Sequence, residues 1–353
     1  MSTIRDVARL ANVGVGTVSR VISGNGPASA DAVARVLAAV AELDFRPNSS
    51  ARALASKTTG MLGVFVTEFS GHFFAPIMLA VDRELRAVDR HMVAATGCGQ
   101  GDARELAREG TRFLIERECD GILLFSNELL DSDLLALHQR CRRLAVINRT
   151  APGIERDCFT VDHVEGGRLA ARALLERGHR EIAIISGRHS ASDNEDRLRG
   201  FDAELAAHGL RVDPQMREDG EFAFEAGHAA MQRLLALGRP FTAVFAANDL
   251  MAMAAIGVLH QAGLRVPQEV SVIGYDDSDF AAYTLPRLTT VCIPTREVAR
   301  NATRHLINLC YGKSLSVTRK FVPSTVWRDS VGAGPHAPLF TRRARSERVL
   351  LED

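Results

Sequence analysis

The sequence predicts a mixed α/β protein: an N-terminal three-helix helix-turn-helix domain, followed by a two-lobed, doubly wound α/β domain. Two observations support this fold class. The first sixty residues show only helical spacing of apolar side chains, whereas from Met61 onward short β-rich runs alternate with amphipathic stretches. About nine such βα units exceed what one open sheet usually holds, so two lobes are favoured.

Three short helices are predicted within the first 46 residues. The first extends from Ile4 to Ala11, and the second begins near Val15, after an interruption at residues 12–14. Ser29 is a suitable N-cap for the third helix, whose predicted apolar stripe consists of Val33, Val36, Leu37, Val40 and Ala41. Three helices around one shared core are typical of a helix-turn-helix domain.

The α/β region contains regularly spaced strand signals. The predicted strands cover residues 62–67, 92–96, 121–125, 144–148, 159–162, 182–186, 243–246 and 270–275. Sheets built from βα repeats are mostly parallel, and their ligands bind beyond the carboxyl ends of the strands. A two-lobed arrangement therefore predicts a ligand cleft between the lobes.

Composition narrows the class of protein. No apolar run approaches the ~18 residues that span a bilayer, and the N-terminus lacks the features of a signal peptide, so we expect a cytoplasmic protein without membrane contact. The chain has no net charge, but residues 1–59 carry seven basic and four acidic side chains, a balance of +3. A small basic domain beside a larger acidic one is typical of a DNA reader with a regulatory body.

Metal and cofactor chemistry have little support in the sequence. Six cysteines are scattered without a Cys-x-x-Cys pair, and the eleven histidines form no His-x-x-x-His arrangement. We expect no metal and no cofactor. The predicted organisation is a helix-turn-helix domain at 1–46, a linker segment at 47–60 in which the family resemblance described below implies a hinge helix, a two-lobed domain at 61–330 and a disordered tail at 331–353.

Several motifs occur in a characteristic order. They include TIRDVARLA at 3–11, TVSRVI at 17–22, FRPNSSARAL at 45–54, SDNEDR at 192–197 and GYDD at 274–277. Together they resemble the lac repressor and galactose repressor family, and the likeness extends to about Arg328. SDNEDR, with VINR at 146–149, is most similar to the galactose repressor branch.

This resemblance implies a function. It implies a transcriptional regulator, a repressor of carbohydrate-utilisation genes, that binds pseudo-palindromic double-stranded operator DNA as a homodimer. A small sugar bound between the lobes of a periplasmic-binding-protein-like domain would control it allosterically. The resemblance implies no enzymatic activity.

The same resemblance implies the DNA-binding residues. In the helix-turn-helix they are Thr3, Val15, Gly16, Thr17, Ser19 and Arg20, and in the hinge helix they are Asn48, Ala51 and Leu54, where Leu54 would wedge into the minor groove. We expect Arg20 to read a base. The chain departs from the family at Gly14, where Ser or Thr is usual, and at Val15 and Gly16, so the operator sequence of the lac repressor does not transfer.

The implied effector-binding residues are Phe73, Phe74, Asn148, Asp193, Arg197, Asn248 and Asp276. Carboxylate, guanidinium and amide groups suit paired hydrogen bonds with vicinal hydroxyls. From the residues alone, two alternatives to ligand binding stay open. One is that Asp276 and Asp249 only cap helices. The other is that the two phenylalanines belong to the core.

Two other functional classes are an enzyme and a sugar-binding or sugar-modifying protein that does not regulate DNA. An enzyme on a doubly wound fold would need a phosphate loop or a nucleophile motif, and the sequence contains neither a Walker nor a Gly-x-Ser-x-Gly pattern. A sugar-binding or sugar-modifying α/β protein without a DNA-regulatory role would not need the N-terminal helices. The DNA-binding regulator therefore remains the leading hypothesis.

Overall fold

A computed structural model describes residues 2–23, 26–45, 58–69 and 73–335, and the chain divides into two compact units, Met1–Met61 and Leu62–Asp353. The predicted hinge residues Asn48, Ala51 and Leu54 lie outside the described residues. The predicted fold class is confirmed: three helices precede a pair of α/β lobes built on two sheets.

The first unit contains α1 (Ile4–Leu10), α2 (Val15–Ser23) and α3 (Ala30–Glu42). Ser29 caps α3 as predicted, since its side chain accepts a hydrogen bond from the backbone N–H of Ala32. A separate apolar core holds the three helices together, with Val7, Val18 and Val36 fully buried. Each helix is too short to be stable alone, so this shared core maintains all three.

The predicted apolar stripe of α3 is wrong at two positions. Leu37 is 56% exposed and Ala41 is also exposed, whereas Ala32, Val36 and Ala39 face the core. The helix is rich in alanine, so the apolar pattern alone allowed more than one rotation about the helix axis. Packing against α1 and α2 determined which face is buried.

The second unit begins with the first lobe, which has a five-stranded sheet in the order β2-β1-β3-β4-β5. Its elements are β1 (Met61–Val66), α4 (Phe74–Arg86), β2 (His91–Thr96), α5 (Ala103–Glu116), β3 (Gly121–Leu124), α6 (Asp131–Arg140), β4 (Leu144–Ile147) and β5 (Cys158–Phe159). The ladders from β1 through β3 and β4 to β5 are parallel.

The second lobe has a six-stranded sheet in the order β11-β10-β9-β8-β6-β7. Its elements are α7 (His163–Glu176), β6 (Ile182–Ser186), α8 (Ser192–Ala207), β7 (Arg217–Asp219), α9 (Phe224–Ala236), β8 (Ala243–Ala246), α10 (Asp249–Gln261), β9 (Ser271–Asp276), β10 (Thr289–Cys292) and β11 (Ser324–Val326). Edge strand β11 pairs antiparallel with β10, and the pairs β10–β9, β9–β8, β8–β6 and β6–β7 are parallel.

The chain passes between the lobes three times. After β5 it enters the second lobe at α7; after β10 it returns as α11 (Thr295–Tyr311), which packs against α4 and the first sheet; β11 then joins the second sheet. Three connections between two sheets allow the lobes to rotate about a common hinge while staying attached. Such a connection allows the cleft between the lobes to open and close.

The ordered chain extends further than predicted. Val331 is buried, the carbonyl of Gly332 lies 3.2 Å from His179 Nε2, and the N–H of Gly334 donates to the carbonyl of Arg177 at 2.7 Å. Residues 331–335 therefore pack on the second lobe instead of starting the expected disordered tail. The tail from residue 336 lies outside the described residues.

Glycine allows α7 and α8 to approach each other very closely. A Cβ at Gly167 would lie 1.9 Å from the carbonyl oxygen of Arg197, and one at Gly200 would lie 1.8 Å from the carbonyl oxygen of Val164. No side chain fits at either position without moving a helix. The closely packed pair α7–α8 fixes the backbone of Arg197.

We expect Gly200→Ala to lower the stability of the second unit, by about 1–3 kcal/mol or more, because the added methyl group must separate two packed helices. Gly257→Ala is the matched control: Gly257 lies within α10, and an added Cβ there meets no atom within 4 Å. That substitution should be neutral or stabilise by up to about 1 kcal/mol. Urea unfolding measures both effects, and equal midpoints for the two variants would contradict the packing argument.

Candidate functional site

A cavity of about 230 Å³ lies between the two lobes. Its lining comes largely from segments that follow strands, including residues after β1, β3, β4, β6, β7 and β8, in agreement with the predicted position of the cleft. All seven predicted effector-binding residues are in the lining: Phe73, Phe74, Asn148, Asp193, Arg197, Asn248 and Asp276. Segments up to 203 residues apart in sequence, from residue 73 to residue 276, therefore meet at one site.

Arg197 is the centre of the polar floor of the cavity. Its side chain is only 3% exposed and donates from Nη2 to Asp193 Oδ2 at 2.8 Å and from Nη1 to the carbonyl of Ala247 at 2.5 Å. Nη1 also lies 3.6 Å from Asp276 Oδ1. The guanidinium carbon sits 4.1 Å from the ring centre of Tyr275, a cation–π contact. The buried positive charge is thus held by two carboxyl groups and an aromatic face.

Asp276 ends β9 and presents an unsatisfied oxygen. Its Oδ1 is buried and has no hydrogen-bond partner among the described residues, and burial raises the pKa of this carboxyl group well above its usual range. The short 3-10 helix after β9, Asp279–Ala282, has Ser278 as its N-cap, so Asp276 does not cap it. Buried polar atoms are rarely left unpaired, and a hydroxyl donor from a ligand would satisfy this one.

Two asparagines of the first lobe reach the same carboxylate of the second lobe. Asn148 Nδ2 donates to Asp193 Oδ2 at 2.9 Å, and Asn127 Nδ2 donates to Asp193 Oδ1 at 3.1 Å. Asn148 follows β4 and adopts a φ of 71°, a left-handed conformation that asparagine tolerates. These hydrogen bonds cross the cleft, so a ligand that contacts Asp193 also affects the contact between lobes.

Behind Asn148 lies a buried histidine that the sequence did not indicate. His163 Nε2 is 2.9 Å from Asn148 Oδ1, and His163 Nδ1 is 3.0 Å from the hydroxyl of Tyr275. Burial lowers the pKa of His163 to about 4, and the charge of Arg197 acts in the same direction. The imidazole is therefore neutral at physiological pH.

Asn248 lines the cavity with its amide already engaged. As the N-cap of α10 it accepts a hydrogen bond from Met251 N–H at 2.9 Å, and its Nδ2 donates to the carbonyl of Phe222 at 3.0 Å. The neighbouring Asp249 is buried and accepts hydrogen bonds from Ser278 and Thr290. Asn248 thus caps a helix, and Asp249 ties α10 to the segments around β10.

Aromatic side chains form one wall of the cavity. The rings of Phe73, Phe74 and Phe125 contact each other edge to face, with centroid distances of 5.1–5.5 Å. Phe73 and Phe74 also pack against the main apolar core. The two rings therefore pack against the core and also line the cavity.

The sequence did not indicate an ion-pair bridge that joins the two lobes at the rim of the cavity. Arg188, after β6 in the second lobe, donates to Glu128 of the first lobe at 2.9 Å and to Glu221 of its own lobe at 3.2 Å. Arg188 and Asn127 each follow a strand by two or three residues. The rule that ligand sites lie beyond strand carboxyl ends, applied to every strand, could have identified both.

The predicted DNA-facing residues of the first unit lie on its surface. Val15 is 43% exposed, Gly16, Ser19 and Arg20 are exposed, and Arg20 Nη2 lies 3.3 Å from Thr17 Oγ1. Val18, in the same helix α2, is fully buried. The helix therefore presents one polar face outward.

Thr3 has a local structural role. It is the N-cap of α1 and forms a capping box: its Oγ1 accepts from Asp6 N–H at 3.4 Å, and its own N–H donates to Asp6 Oδ2 at 2.9 Å. The residue is exposed, so this role leaves its backbone and methyl group accessible to a partner.

The described part of the chain lacks two further features, a metal-binding cluster and a membrane-spanning helix. Within the described ranges, no cluster of three or more His, Cys, Asp or Glu side chains has the arrangement of a metal site. No described helix is long and apolar enough to cross a membrane.

Two family models match the chain. Residues 3–48 match "Bacterial regulatory proteins, lacI family", and residues 171–331 match "Periplasmic binding protein-like domain". The HTH-type transcriptional regulator GalR of Escherichia coli (strain K12) is 38% identical over 332 residues, which covers 94% of this chain and 96% of GalR.

Solved structures show the same likeness. The lac repressor dimer bound to operator and the anti-inducer ONPF has a TM-score of 0.83 and 27% identity, covering 93% of this chain and 98% of the repressor chain. A transcriptional regulator CelR–cellobiose complex has a TM-score of 0.67 and 33% identity, covering 94% of this chain and 100% of that chain.

The buried His163 makes stability depend on pH. The unfolded chain binds a proton at this side chain below its normal pKa of 6.5, whereas the folded chain does so only near pH 4, so stability falls as the pH falls through this window. We expect His163→Gln to remove about 2–3 kcal/mol of the loss between pH 7 and 4.5. Urea unfolding at both pH values measures it, with exposed His91→Gln as control. An unchanged pH dependence in His163→Gln would show that the imidazole is not held neutral.

Proposed function

The chain belongs to the lacI family of bacterial regulatory proteins, and we propose that it binds operator DNA through α2 and changes its affinity for that DNA when a sugar occupies the cavity between the lobes. It is a DNA-binding transcriptional regulator, as its relatives are, and not an enzyme. The observation that carries the effector part is the convergence of seven predicted side chains on one cavity, where Asp276 has an unpartnered oxygen.

The exposed face of α2 supports the DNA part of the proposal. Thr17, Ser19 and Arg20 can donate to phosphates or base edges, and Val15 offers an apolar contact to a thymine methyl group. Asn48, Ala51 and Leu54 complete the proposed interface by analogy with the family's hinge helix. Operator binding also assigns the protein to the cytoplasm.

The charges around the cavity favour a sugar without an acidic group. Five carboxyl groups line it, against two guanidinium groups among the described residues: Glu68, Glu128, Asp193, Glu221 and Asp276 against Arg188 and Arg197. Both arginines are already paired with carboxylates. A phosphate or carboxylate on the ligand would lie among these carboxyl groups, whereas hydroxyl groups would find acceptors.

Helix N-termini do not reverse this preference. The first turns of α8 and α10 contain their own acids, Asp193 and Asp249, which already use the positive ends of these helices. The first turn of α4 contains no acid, but it begins with the phenylalanines of the apolar wall. The polar floor and the aromatic wall together fit a ligand with hydroxyl groups and an apolar face.

We also propose that the chain forms a homodimer. The similar lac repressor structure is a dimer on operator DNA, and a single three-helix unit has little surface for tight specific binding. Tyr283 and Leu285 are 86% and 95% exposed, and such a surface pair fits contact with a second copy of the chain. Two copies would read the two halves of a pseudo-palindromic operator.

Replacing Arg20 tests the DNA interface. We expect Arg20→Ala to lower discrimination between operator and unrelated DNA by about 1–3 kcal/mol, because a base contact is lost. Arg35→Ala, an exposed arginine on α3 paired with Asp31, is the control and should keep that discrimination. Fluorescence anisotropy with both DNAs at fixed salt gives the ratio. A uniform loss on every DNA would reassign Arg20 to a phosphate contact.

Replacing Asp276 tests the effector site. Asp276→Asn should still bind operator but require about tenfold more sugar to respond, because one carboxyl oxygen that can bond a ligand hydroxyl is replaced by an NH₂ group. Arg197→Ala should lose the response as well. Glu195→Gln, an exposed acid in the first turn of α8 outside the cavity lining, is the matched control.

A ligand panel accompanies these variants: D-galactose, D-ribose and cellobiose, with galactose 6-phosphate and galacturonic acid as acidic counterparts. Thermal shift and operator affinity are read together, because binding to the folded state raises its stability. Tighter binding of an acidic sugar would overturn the charge argument while the regulator function stands. No response to any member of the panel would overturn the sugar-effector proposal.

A further inference from the structure

His163 occupies the point where the chain first crosses from one lobe to the other. It is the first residue of α7, after the N-cap Asp162, and is 2% exposed. One ring nitrogen faces Asn148 of the first lobe, and the other faces Tyr275 in β9 of the second lobe. The imidazole thus connects the two lobes beneath the floor of the cavity.

Only one arrangement of protons satisfies these contacts. Asp193 is a carboxylate that accepts hydrogen bonds, so the atom of Asn148 that faces it at 2.9 Å must be the amide nitrogen. The amide oxygen therefore faces His163 Nε2, which must carry the hydrogen. In the neutral ring Nδ1 is then the acceptor for the Tyr275 hydroxyl.

The result is a directed series of hydrogen bonds. Tyr275 donates to His163, His163 donates to Asn148, and Asn148 donates to Asp193, which also holds Arg197. All the contacts from Asn148 onward belong to residues that line the cavity. The orientation of the Asn148 amide, and hence its bond across the cleft, depends on a proton at His163 Nε2.

We propose that His163 is the positioning residue that couples effector binding to the arrangement of the lobes. It holds the first-lobe Asn148 in the orientation that bonds Asp193, and it anchors that orientation to the second lobe through Tyr275. A ligand that competes for Asp193 or Asn148 changes this series of bonds and thereby biases the lobe equilibrium. The proposal rests on the effector function of the cavity.

A buried histidine with two partners is also found elsewhere, which supplies a control for a purely structural role. His179 is 3% exposed, with ring nitrogens 3.0 Å from Thr242 Oγ1 and 3.2 Å from the carbonyl of Gly332, and it does not line the cavity. His179→Asn should lower stability and leave the coupling unchanged. His163→Asn should lower both.

The experiment compares operator affinity of the full chain without and with saturating D-galactose, or cellobiose if galactose does not bind. We expect His163→Asn, which retains only the acceptor for Tyr275, to reduce the ratio of the two affinities about fivefold or more. His163→Gln, whose amide nitrogen replaces Nε2, should restore most of the ratio. Equal ratios in the parent, His163→Asn and His179→Asn would overturn the proposal.

The tautomer provides a second measurement that needs no ligand. In the parent chain with ¹⁵N-labelled histidine, we expect His163 to be protonated at Nε2 at neutral pH, and a proton at Nδ1 would overturn the proposal. If His163→Asn does not fold, Tyr275→Phe replaces it, because this change removes only the hydroxyl and keeps the ring beside Arg197. Tyr275→Phe should also reduce the ratio, and an unchanged ratio would count against the coupling role.

The two proposals fail in different ways. If no sugar of the panel alters operator binding by the parent chain, the effector function fails, and the coupling role of His163 fails with it. If the sugar changes operator affinity equally in the parent chain and in His163→Asn, only the coupling role fails.

Discussion

The buried guanidinium group of Arg197 is the constraint on which the rest of the cleft depends. A charge removed from water must be paired and hydrogen-bonded, because its desolvation is otherwise too costly. Asp193, four residues earlier on α8, supplies the direct ion pair, and Asp276 supplies a second carboxyl group from β9. The carbonyl of Ala247 after β8 accepts a further hydrogen bond. One cation thus brings together a helix and two strand ends of the second lobe.

The ion pair between Arg197 and Asp193 also determines how the first lobe contacts the second. Asp193 also accepts hydrogen bonds from Asn127 and Asn148 across the cleft, in addition to its ion pair with Arg197. The contacts between the lobes near the cavity are therefore polar, and Arg188 adds an ion pair to Glu128 at the rim. Polar contacts can exchange partners with a hydroxyl-bearing ligand at small net cost, whereas a packed apolar interface cannot. This chemistry suits a cleft that changes its arrangement when a ligand binds.

Packing supports the electrostatics. The backbone of α8 is held against α7 by the close approach at Gly167 and Gly200, and the first of these contacts is made to the carbonyl of Arg197 itself. This close contact fixes the backbone from which the Arg197 side chain extends, and a preorganised site requires such support. His163 begins α7, so the helix that fixes Arg197 also carries the residue that orients Asn148.

The sequence by itself determined the features that depend on local patterns. Periodicity predicted the α/β alternation and the three N-terminal helices, Ser29 was correctly identified as a cap, and motif resemblance selected residues that all line the cleft. Tertiary structure decided what depends on contacts between distant residues. It turned Leu37 outward, returned α11 to the first lobe and ordered residues 331–335. It also used the amide of Asn248 for a helix cap and paired His163 with Tyr275, 112 residues away. No local pattern encodes such a pairing, because it exists only once two lobes have formed around it.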